Sequence, residues 1–410
     1  MAVFQSANEL ISYLLQQTAD QIDRCYQAKP GWHCKGRVAL QLQCIFGHFL
    51  LQRDYYYEPQ SRQGHYPVDA ALGLEGGCTP ALAQLVCLEA LDQMSYQKAE
   101  FHLRETGGIQ FSARQIQRLV HQMGPAIQKW FQREGPLQQC DAPIMYLGGD
   151  GTGVPMRRAA LLGRKGRQPD GTSKTRQVYL GCVFTQHKCD ADGHPMRDYA
   201  STSYVSTFES IECFGLLLRA EARRRGIGQA GTVVLLIDGA NGLANMGRQN
   251  FADAVQIVDF YHALEHVGTV LEALLGKEHP KLKAQRTRWT RLLLRDGVER
   301  LISEARQDSE GTQKEEAVAE ALHYFQTNVE RMQYGTFRKL GYFIGSGVVE
   351  AGCKTVIGAR CKQSGMFWST DGAGYILGLR CIRLSGQWNQ FWKARANELA
   401  AANDALKLPA

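Results

Sequence analysis

Two aspartates stand where apolar strands are expected to end. Asp150 follows the apolar run 144–149, Asp238 follows the apolar run 232–237, and a glycine comes directly after each aspartate. If the two strands are neighbours in one sheet, their carboxylates project side by side at its edge, where like charges repel unless a cation lies between them. Two Mg²⁺ or Mn²⁺ ions about 3.5–4 Å apart would suit this site and in-line displacement at a phosphodiester. The alternative is that each aspartate only forms a turn with its glycine.

A third carboxylate, Glu350, lies in the glycine-rich segment 345–354, which reads GSGVVEAGCK. A helix beginning near Ser346 would place Glu350 and Lys354 on one face and direct the carboxylate towards the sheet edge. With Asp150 and Asp238 bridging the ions and Glu350 completing one shell, we expect an activated water or 3′-hydroxyl to attack a phosphodiester. A plain surface contact between Glu350 and Lys354 is the alternative.

Basic side chains gather in segments 157–176, 219–225, 281–295 and 354–362. A solvated helix face explains any one such run, but beside an acidic triad the runs suit contacts with phosphates. The candidate DNA-contacting residues of the first and last segments are Arg157, Arg158, Arg164, Lys165, Lys354, Arg360 and Lys362.

The elements that must position these residues follow an α/β pattern. Strands are predicted at 144–149, 178–184, 199–205, 232–237 and 255–258, with helices at 208–225 and 261–275. Three strands, a helix and then a strand buried on both faces is the order of an RNase H-like sheet. Residues 277–335 are charged and helical in pattern, which predicts a helical insertion before Glu350.

The N-terminal part has a different pattern. A helix over 2–26 precedes a hairpin of strands 37–43 and 49–57, and helices follow near 80–91, 95–105 and 112–123. The last two helices suggest a helix-turn-helix whose second helix presents Arg114, Gln115 and Arg118 to base edges and phosphates. An ordinary helical subdomain is the alternative.

We therefore expect an α/β protein with an RNase H-like catalytic domain, a helical insertion, and an N-terminal α+β region that contains a helix-turn-helix-like DNA-binding module. The expected divisions are 1–75 (helix and hairpin), 76–138 (helix-turn-helix-like), 139–276 (catalytic core, first part), 277–338 (insertion), 339–393 (catalytic core, second part) and 394–410 (C-terminal helical tail).

Composition permits this interpretation without requiring it. The 410 residues are 44% hydrophobic with a net charge of +7, which is mildly basic and compatible with an acidic partner. Apolar runs such as 233–237 fall short of the roughly 20 residues that cross a bilayer. The twelve cysteines are scattered and form no CxxC pair, as in a reduced protein of the cytoplasm. We expect a cytoplasmic protein, associated with the nucleoid when bound to DNA.

Four segments resemble bacterial insertion-sequence transposases, particularly the group labelled the "Kra" type, which is related to the Mutator and hAT superfamilies. They read LGGDGTGVPMRR, VVLLIDGANGLANM, VDFYHALEHV and GSGVVEAGCKTVIGARCKQSGMFWS, and the last is the most specific. The resemblance runs from about Tyr55 onward. It implies a DDE triad of Asp150, Asp238 and Glu350, and a helical insertion before the glutamate.

The same resemblance implies supporting residues and partners. Asp259 and His262 match a signature in which a Cys or Asp is followed, after two residues, by a His. Trp289 resembles an aromatic residue that stacks on a flipped base, although a tryptophan on a helix is more often buried. The implied substrates are double-stranded DNA with terminal inverted repeats and target DNA. A homodimer or larger assembly would act on two element ends.

Other functions compete with this interpretation. His262, Glu265 and His266 form the HxxEH motif of inverted zinc metalloproteases, which would need a further ligand such as Glu320 or Glu330. A domesticated, non-cleaving relative that only binds DNA is another alternative, and so is a resolvase or ribonuclease of the same fold.

Overall fold

The computed structural model describes residues 2–133, 140–166, 168 and 171–404. The chain divides into two compact units. The first comprises the described residues up to 130, residues 363–365 and those from 371 onward, and the second comprises the described residues of 131–362 together with 366–370.

The N-terminal part of the first unit combines a helix, a hairpin and a group of short helices. Its elements are α1 (Ala2–Cys25), β1 (His33–Cys44), β2 (Gly47–Glu58), β3 (Gln63–His65), α2 (Pro67–Leu72), α3 (Pro80–Asp92), α4 (Tyr96–Gly107), α5 (Ala113–Gln122) and α6 (Gly124–Gln132). Strands β1, β2 and β3 form an antiparallel sheet, the hairpin sheet, in that order. The helix, hairpin and short helices expected from the periodicity are all present.

Local sequence explains where the short helices begin. The Ser95 hydroxyl accepts a hydrogen bond from the Lys98 amide at the start of α4. At the start of α5, Ser112 and Gln115 form a reciprocal capping box that satisfies the exposed amides of the first turn. A left-handed Gly108 ends α4, which is the conformation that glycine adopts without steric cost.

The second unit carries the central sheet and most of the remaining helices. Its elements are β4 (Ile144–Pro155), β5 (Thr175–Gln186), β6 (Lys188–Cys189), β7 (Pro195–Met196), β8 (Ser203–Thr207), α7 (Ile211–Arg224), β9 (Thr232–Ile237), α8 (Asn241–Asn250), β10 (Val255–Val258), α9 (Phe260–Leu275), α10 (Leu282–Leu293), α11 (Val298–Ser309), α12 (Glu315–Asn328), α13 (Tyr334–Lys339), α14 (Gly347–Gly352), a π-helix (Cys353–Gly358) and α15 (Ala359–Cys361), with 3₁₀ turns at Arg158–Leu161, Ile227–Gln229 and Val329–Met332.

The central sheet is mixed. In the described residues it has the strand order β10-β9-β4-β5-β8. Strand β5 is antiparallel to both of its neighbours, β4 and β8, whereas β9 runs parallel to β4, and β10 runs parallel to β9. The third strand is shorter than expected: Tyr199 and Ala200 lie outside β8, and Ala200 has a positive φ of 54° that is incompatible with a strand.

Two neighbouring glycines of β4 allow helices to approach both faces of the sheet, because successive residues of a strand point to opposite sides. A Cβ on Gly148 would lie 3.2 Å from Val349 of α14, and one on Gly149 would lie 3.2 Å from Phe214 of α7. The helices are therefore packed closely against the strand that carries Asp150.

Helices α10 to α13 form the insertion expected between the sheet and Glu350. Their shared core contains Trp289, Leu301, Leu322 and Phe325, all without measurable exposure. The insertion therefore has a hydrophobic core of its own within the second unit.

The chain then returns to the first unit with α16 (Thr370–Leu384) and α17 (Trp388–Asp404). The Arg380 guanidinium donates to the Leu91 carbonyl of α3, and the Tyr375 ring lies against Gly124, where a Cβ would come within 2.6 Å. Residues 371–393, which the expected division placed with the catalytic core, therefore pack with the N-terminal helices. Among the described helices, none is both long enough and apolar enough to cross a membrane.

Candidate active site at the carboxyl edge of the central sheet

Three aspartates lie at one level on three neighbouring strands of the central sheet: Asp150 within β4, which continues past its predicted end at residue 149 to Pro155, Asp238 just after β9, and Asp259 just after β10. Gly149 of β4 is paired with Ile237 of β9, and Ile237 is paired with Val258 of β10. The next residues along these parallel strands are Asp150, Asp238 and Asp259. Because the carboxyl ends of parallel strands meet at one edge, the three aspartates form a row, the acidic edge.

Helix α14 brings Glu350 to this region. The helix lies against β4 and β5, and a Cβ on Gly352 would come within 2.8 Å of Tyr204 and 3.0 Å of Leu180. The glycine-rich segment thus permits an approach that larger side chains would block. The Ser346 hydroxyl then donates to Glu350 Oε1 over 2.9 Å, which orients the carboxylate.

Asp259 connects the end of β10 to the starts of two helices. It is fully buried, and its two oxygens accept hydrogen bonds from the backbone amides of His262, over 2.6 Å, and Ser346, over 2.5 Å. Burial acts to raise the pKa of Asp259, but the hydrogen bonds from His262 and Ser346 outweigh it and leave the pKa below its usual value. The Asp259 carboxylate also accepts a hydrogen bond from the His262 imidazole, with Nδ1 3.2 Å from Oδ1, and this hydrogen bond raises the pKa of His262 to about 9.

The acidic edge places like charges close together. Burial raises the pKa of Asp238, and the negative charge of Asp150 adds to this rise. Asp238 accepts one hydrogen bond from the Ala240 amide, over 3.0 Å. Among the described residues, no Lys, Arg or His nitrogen lies within 4.0 Å of the Asp150, Asp238 or Glu350 carboxylate.

Cys353 connects the Glu350 segment to Asp150. Its Sγ lies 3.4 Å from Asp150 Oδ2, and burial raises the pKa of Cys353, so the protonated thiol donates to the carboxylate. The residue begins the π-helix that follows α14. Such irregular turns occur often at functional sites. Here the wider turn replaces the regular spacing expected between Glu350 and Lys354.

The side chains of Asp259, His262 and Glu350 are close enough to share an ion. Their ligand atoms all lie within 4.8 Å of one another. The other such group among the described residues is Asp190, Asp192 and His194, which is exposed at the turn between β6 and β7. The structure thus groups His262 with Glu350.

The zinc-protease motif is arranged differently from a metal site. Its second histidine, His266, stacks on the Tyr324 ring with centroids 3.5 Å apart. Glu265 is exposed, and neither Glu265 nor His266 belongs to a metal-capable group in the described part of the chain. Nothing in this arrangement favours the protease alternative.

The chain matches a family model over residues 2–396, under the description "Uncharacterised protein family (UPF0236)". It belongs to this family. A solved structure, the Drosophila P element transposase strand transfer complex, is similar to the UPF0236 chain at 12% identity and a TM-score of 0.27, covering 77% of this chain and 79% of that chain. We infer nothing from a similarity of this size. No curated protein matches the chain.

Most candidate DNA-contacting side chains of this UPF0236 protein are exposed. They are Arg114, Arg118, Arg157, Arg158, Arg164, Lys165, Lys354 and Lys362. The Lys362 ammonium also donates to the Thr152 hydroxyl on β4. These residues are therefore accessible to a ligand in their respective units.

Three candidate residues are placed otherwise than expected. Arg360 is 1% exposed, with its guanidinium 5.0 Å from the centroid of the Trp368 ring. Trp289 is fully buried, with its indole nitrogen 3.1 Å from Glu304. The Gln115 amide oxygen accepts two hydrogen bonds from Ser112. Packing and capping therefore occupy these three side chains in this structure, and we assign none of them to DNA.

Sequence reasoning missed two side chains of the site. Ser346 appeared only as a helix start, although a serine between glycines directly before the helix was a signal for a hydrogen bond near Glu350. Cys353 gave no signal, because its contact with Asp150 joins residues that are about 200 positions apart.

Proposed function

We propose that the protein is a metal-dependent DNA transposase of the DDE type, with Asp150, Asp238 and Glu350 as its catalytic carboxylates. The observation that carries the proposal is the acidic edge itself, with aspartates at one level on neighbouring strands and no basic nitrogen within 4.0 Å of these three carboxylates among the described residues. Buried or half-buried carboxylates without a counter-ion are destabilising, so a cation is the expected partner.

The strand order supports an RNase H-like catalytic domain. Numbered along the chain, the strands of the central sheet lie in the order fifth, fourth, first, second, third. The first three are an antiparallel meander, and the last two run parallel to the first. In this arrangement the first and fourth strands are neighbours, so Asp150 within the first strand and Asp238 just after the fourth become adjacent.

The donor set fits Mg²⁺ or Mn²⁺. Carboxylate oxygens are the ligands that these ions prefer, and Asp150, Asp238 and Glu350 would hold a pair of them. Such a pair, when bound, supplies an activated water or 3′-hydroxyl and stabilises the leaving oxygen of a phosphoryl displacement. Asp259 is near enough to Glu350 to assist in holding the ions.

The remaining residues of the site position the carboxylates and balance their charge. Ser346 orients Glu350, and the Cys353 thiol holds one oxygen of Asp150. The Asp259 carboxylate keeps His262 protonated at neutral pH, because the pKa of the imidazole is about 9. A protonated imidazole beside the acidic edge can contact a phosphate oxygen of the bound strand.

We propose double-stranded DNA as the substrate, with the terminal inverted repeats of an insertion sequence and a target site. The exposed Arg114 and Arg118 on α5 would contact the repeats through the helix-turn-helix-like region, and the exposed basic residues near β4 and α15 would contact the strand being cut. A "Kra"-type element and a dimer or larger assembly on DNA complete the proposal. Inverted repeats and short target duplications flanking the gene would support it.

The test is strand cleavage by the Asp150→Asn variant of the full chain. We expect cleavage of a duplex carrying the element end to fall by roughly a thousandfold, about 4 kcal/mol in activation free energy, while binding of the end stays within about twofold. Asp141→Asn is the matched control, because this exposed aspartate just precedes the same strand. Cleavage retained by Asp150→Asn, or lost equally in the control, would refute the assignment.

A further inference from the structure

A cavity of about 770 Å³ lies in the second unit, beside the edge strand β10, and none of its lining residues is one of the three aspartates of the acidic edge. The 3₁₀ turn Val329–Met332 at the end of the insertion forms one wall, and the end of α8 and the start of β10 contribute to another. Its polar lining is Arg248, Gln256, Glu299, Asn328, Glu330 and Arg331. We call it the Arg331 cavity.

Three buried polar atoms of this lining have no hydrogen-bond partner. They are Arg331 Nη1, Asn328 Oδ1 and Gln256 Oε1. Arg331 is 9% exposed and Asn328 is 1% exposed. The orientation of the Asn328 amide is determined, because its nitrogen donates to the Tyr324 carbonyl over 2.7 Å, which leaves the oxygen as an acceptor. One donor and two acceptors are thus without partners in a single cavity.

In the described part of the chain, neither guanidinium of the cavity forms an ion pair, and the negative charge of Asp238 acts on Arg331 only from beyond 4.0 Å. Among the described residues, no carboxylate lies within 4.0 Å of the Arg331 or the Arg248 guanidinium. Glu299 and Glu330 line the same cavity, but both are exposed and can remain in water. A guanidinium stays charged at any physiological pH, so burying Arg331 without an anion is unfavourable. An anion in the cavity would remove this cost.

We propose that the Arg331 cavity binds the phosphate of a nucleotide. The planar guanidiniums of Arg331 and Arg248 hold phosphate oxygens, for which their paired donors are well suited. The amide oxygens of Asn328 and Gln256 accept hydrogen bonds from hydroxyl or amino groups of the same ligand, which inorganic anions lack. The nucleotide is either free or part of a nucleic-acid strand, and binding does not require that the acidic edge cleaves DNA.

The experiment measures binding by calorimetry with EDTA present, so that metal-dependent catalysis plays no part. The probes are inorganic phosphate, adenosine 5′-monophosphate and a short single-stranded oligonucleotide. Arg331→Gln and Arg248→Gln should each weaken binding of the nucleotide probes by roughly tenfold or more, because each removes hydrogen bonds to a charged group. Arg331→Lys should also bind more weakly, because a lysine cannot donate in a bidentate fashion.

Arg306→Gln is the matched control, because Arg306 is an exposed arginine of α11 in the same insertion. Arg248 is exposed, so its replacement should not disturb folding. If Arg331→Gln fails to fold, nucleotide binding by Arg248→Gln tests the proposal. Tighter binding of the monophosphate indicates a free nucleotide, and tighter binding of the oligonucleotide indicates a strand. The proposal is overturned if wild-type protein binds neither nucleotide probe, or if Arg248→Gln binds them as tightly as Arg306→Gln does.

The outcome is independent of the transposase proposal. Nucleotide binding that is lost in Arg248→Gln but kept in Asp150→Asn supports the Arg331 cavity whether or not the protein cuts DNA. If the protein cleaves DNA but binds no nucleotide probe in EDTA, the cavity proposal is refuted and the transposase proposal is not.

Discussion

The acidic side chains of the first unit and those of the acidic edge lie in contrasting surroundings. Around the hairpin sheet, arginines meet the aspartates: Arg53 lies 2.5 Å from Asp69, and Arg37 lies 2.5 Å from Asp20. At the acidic edge, Asp150 and Asp238 accept hydrogen bonds but form no ion pair with any described residue. Both regions concentrate acids, but Asp150 and Asp238 have no ion pair of the kind that Arg37 and Arg53 form with their aspartates.

The difference distinguishes acids that stabilise the fold from acids that are available to bind a cation. Removing one partner of a buried ion pair leaves an uncompensated charge, so a paired acid is part of the packing. An acid held without a counter-ion costs stability, and a protein retains it where a cation binds. Four variants test whether this distinction holds, from the largest expected effect to the smallest.

Arg53→Ala should destabilise the first unit by about 3 kcal/mol or more, because it leaves Asp69 without its partner in a largely buried pair. The Arg53 side chain is 6% exposed, stacks 3.8 Å from the centroid of the Tyr66 ring and donates to the Val38 carbonyl. The measurement is calorimetric unfolding of the full chain. An unchanged transition would contradict a structural role for this pair.

Mn²⁺ should stabilise the wild-type protein and not Asp150→Asn. A ligand at a hundredfold excess over its Kd contributes about 2.7 kcal/mol to the folded state. The shift in unfolding temperature on adding Mn²⁺ measures this contribution. Asp20→Asn is the matched control, since Asp20 is already paired with Arg37, and it should keep the full shift. An equal shift in both variants would place the ion elsewhere.

Without metal, Asp238→Asn should be more stable than the wild type at neutral pH. The pKa of Asp238 is raised above its ordinary 3.8, so folding disfavours the ionised form. The stabilising contribution of the protonated acid is therefore full below pH 3.8 and is lost as the pH rises through the folded-state pKa.

Asparagine carries no charge at any pH and can still accept from the Ala240 amide, so the advantage of Asp238→Asn should shrink as the pH falls towards 3.8. Unfolding in EDTA across this pH range measures the difference between the two proteins. Asp69→Asn should show the opposite sign, because it removes the partner of Arg53. A destabilised Asp238→Asn at neutral pH would break the contrast between the two regions.

Arg37→Ala should have the smallest effect, about 0.5 kcal/mol, because exposed ion pairs contribute little. The Arg37 side chain is 48% exposed, although it lies within 4.0 Å of Asp20, Asp23 and Asp54. High salt should reduce the effect further, since exposed pairs are screened. A loss of stability as large as that of Arg53→Ala would show that the number of neighbouring acids, rather than burial, determines how much an ion pair stabilises this unit.

Much of the acidic edge was predictable from the sequence. Asp150 and Asp238 each follow an apolar run and precede a glycine, and the observed register does bring these two positions together. Glu350 was expected on a helix after the insertion, and it does lie on α14. The role of Asp259 was harder to predict, because its alignment with the other two aspartates depends on β10 joining the sheet as the fifth strand.

The N-terminal hairpin, the short helices with their serine caps and the apolar strands of the central sheet were determined by the sequence alone, since turn chemistry and hydrophobic period act between near neighbours. Only the tertiary structure decided that Arg360 and Trp289 are buried, that Cys353 meets Asp150, and that α16 packs with the N-terminal helices. These outcomes depend on contacts between distant residues, which no local pattern encodes.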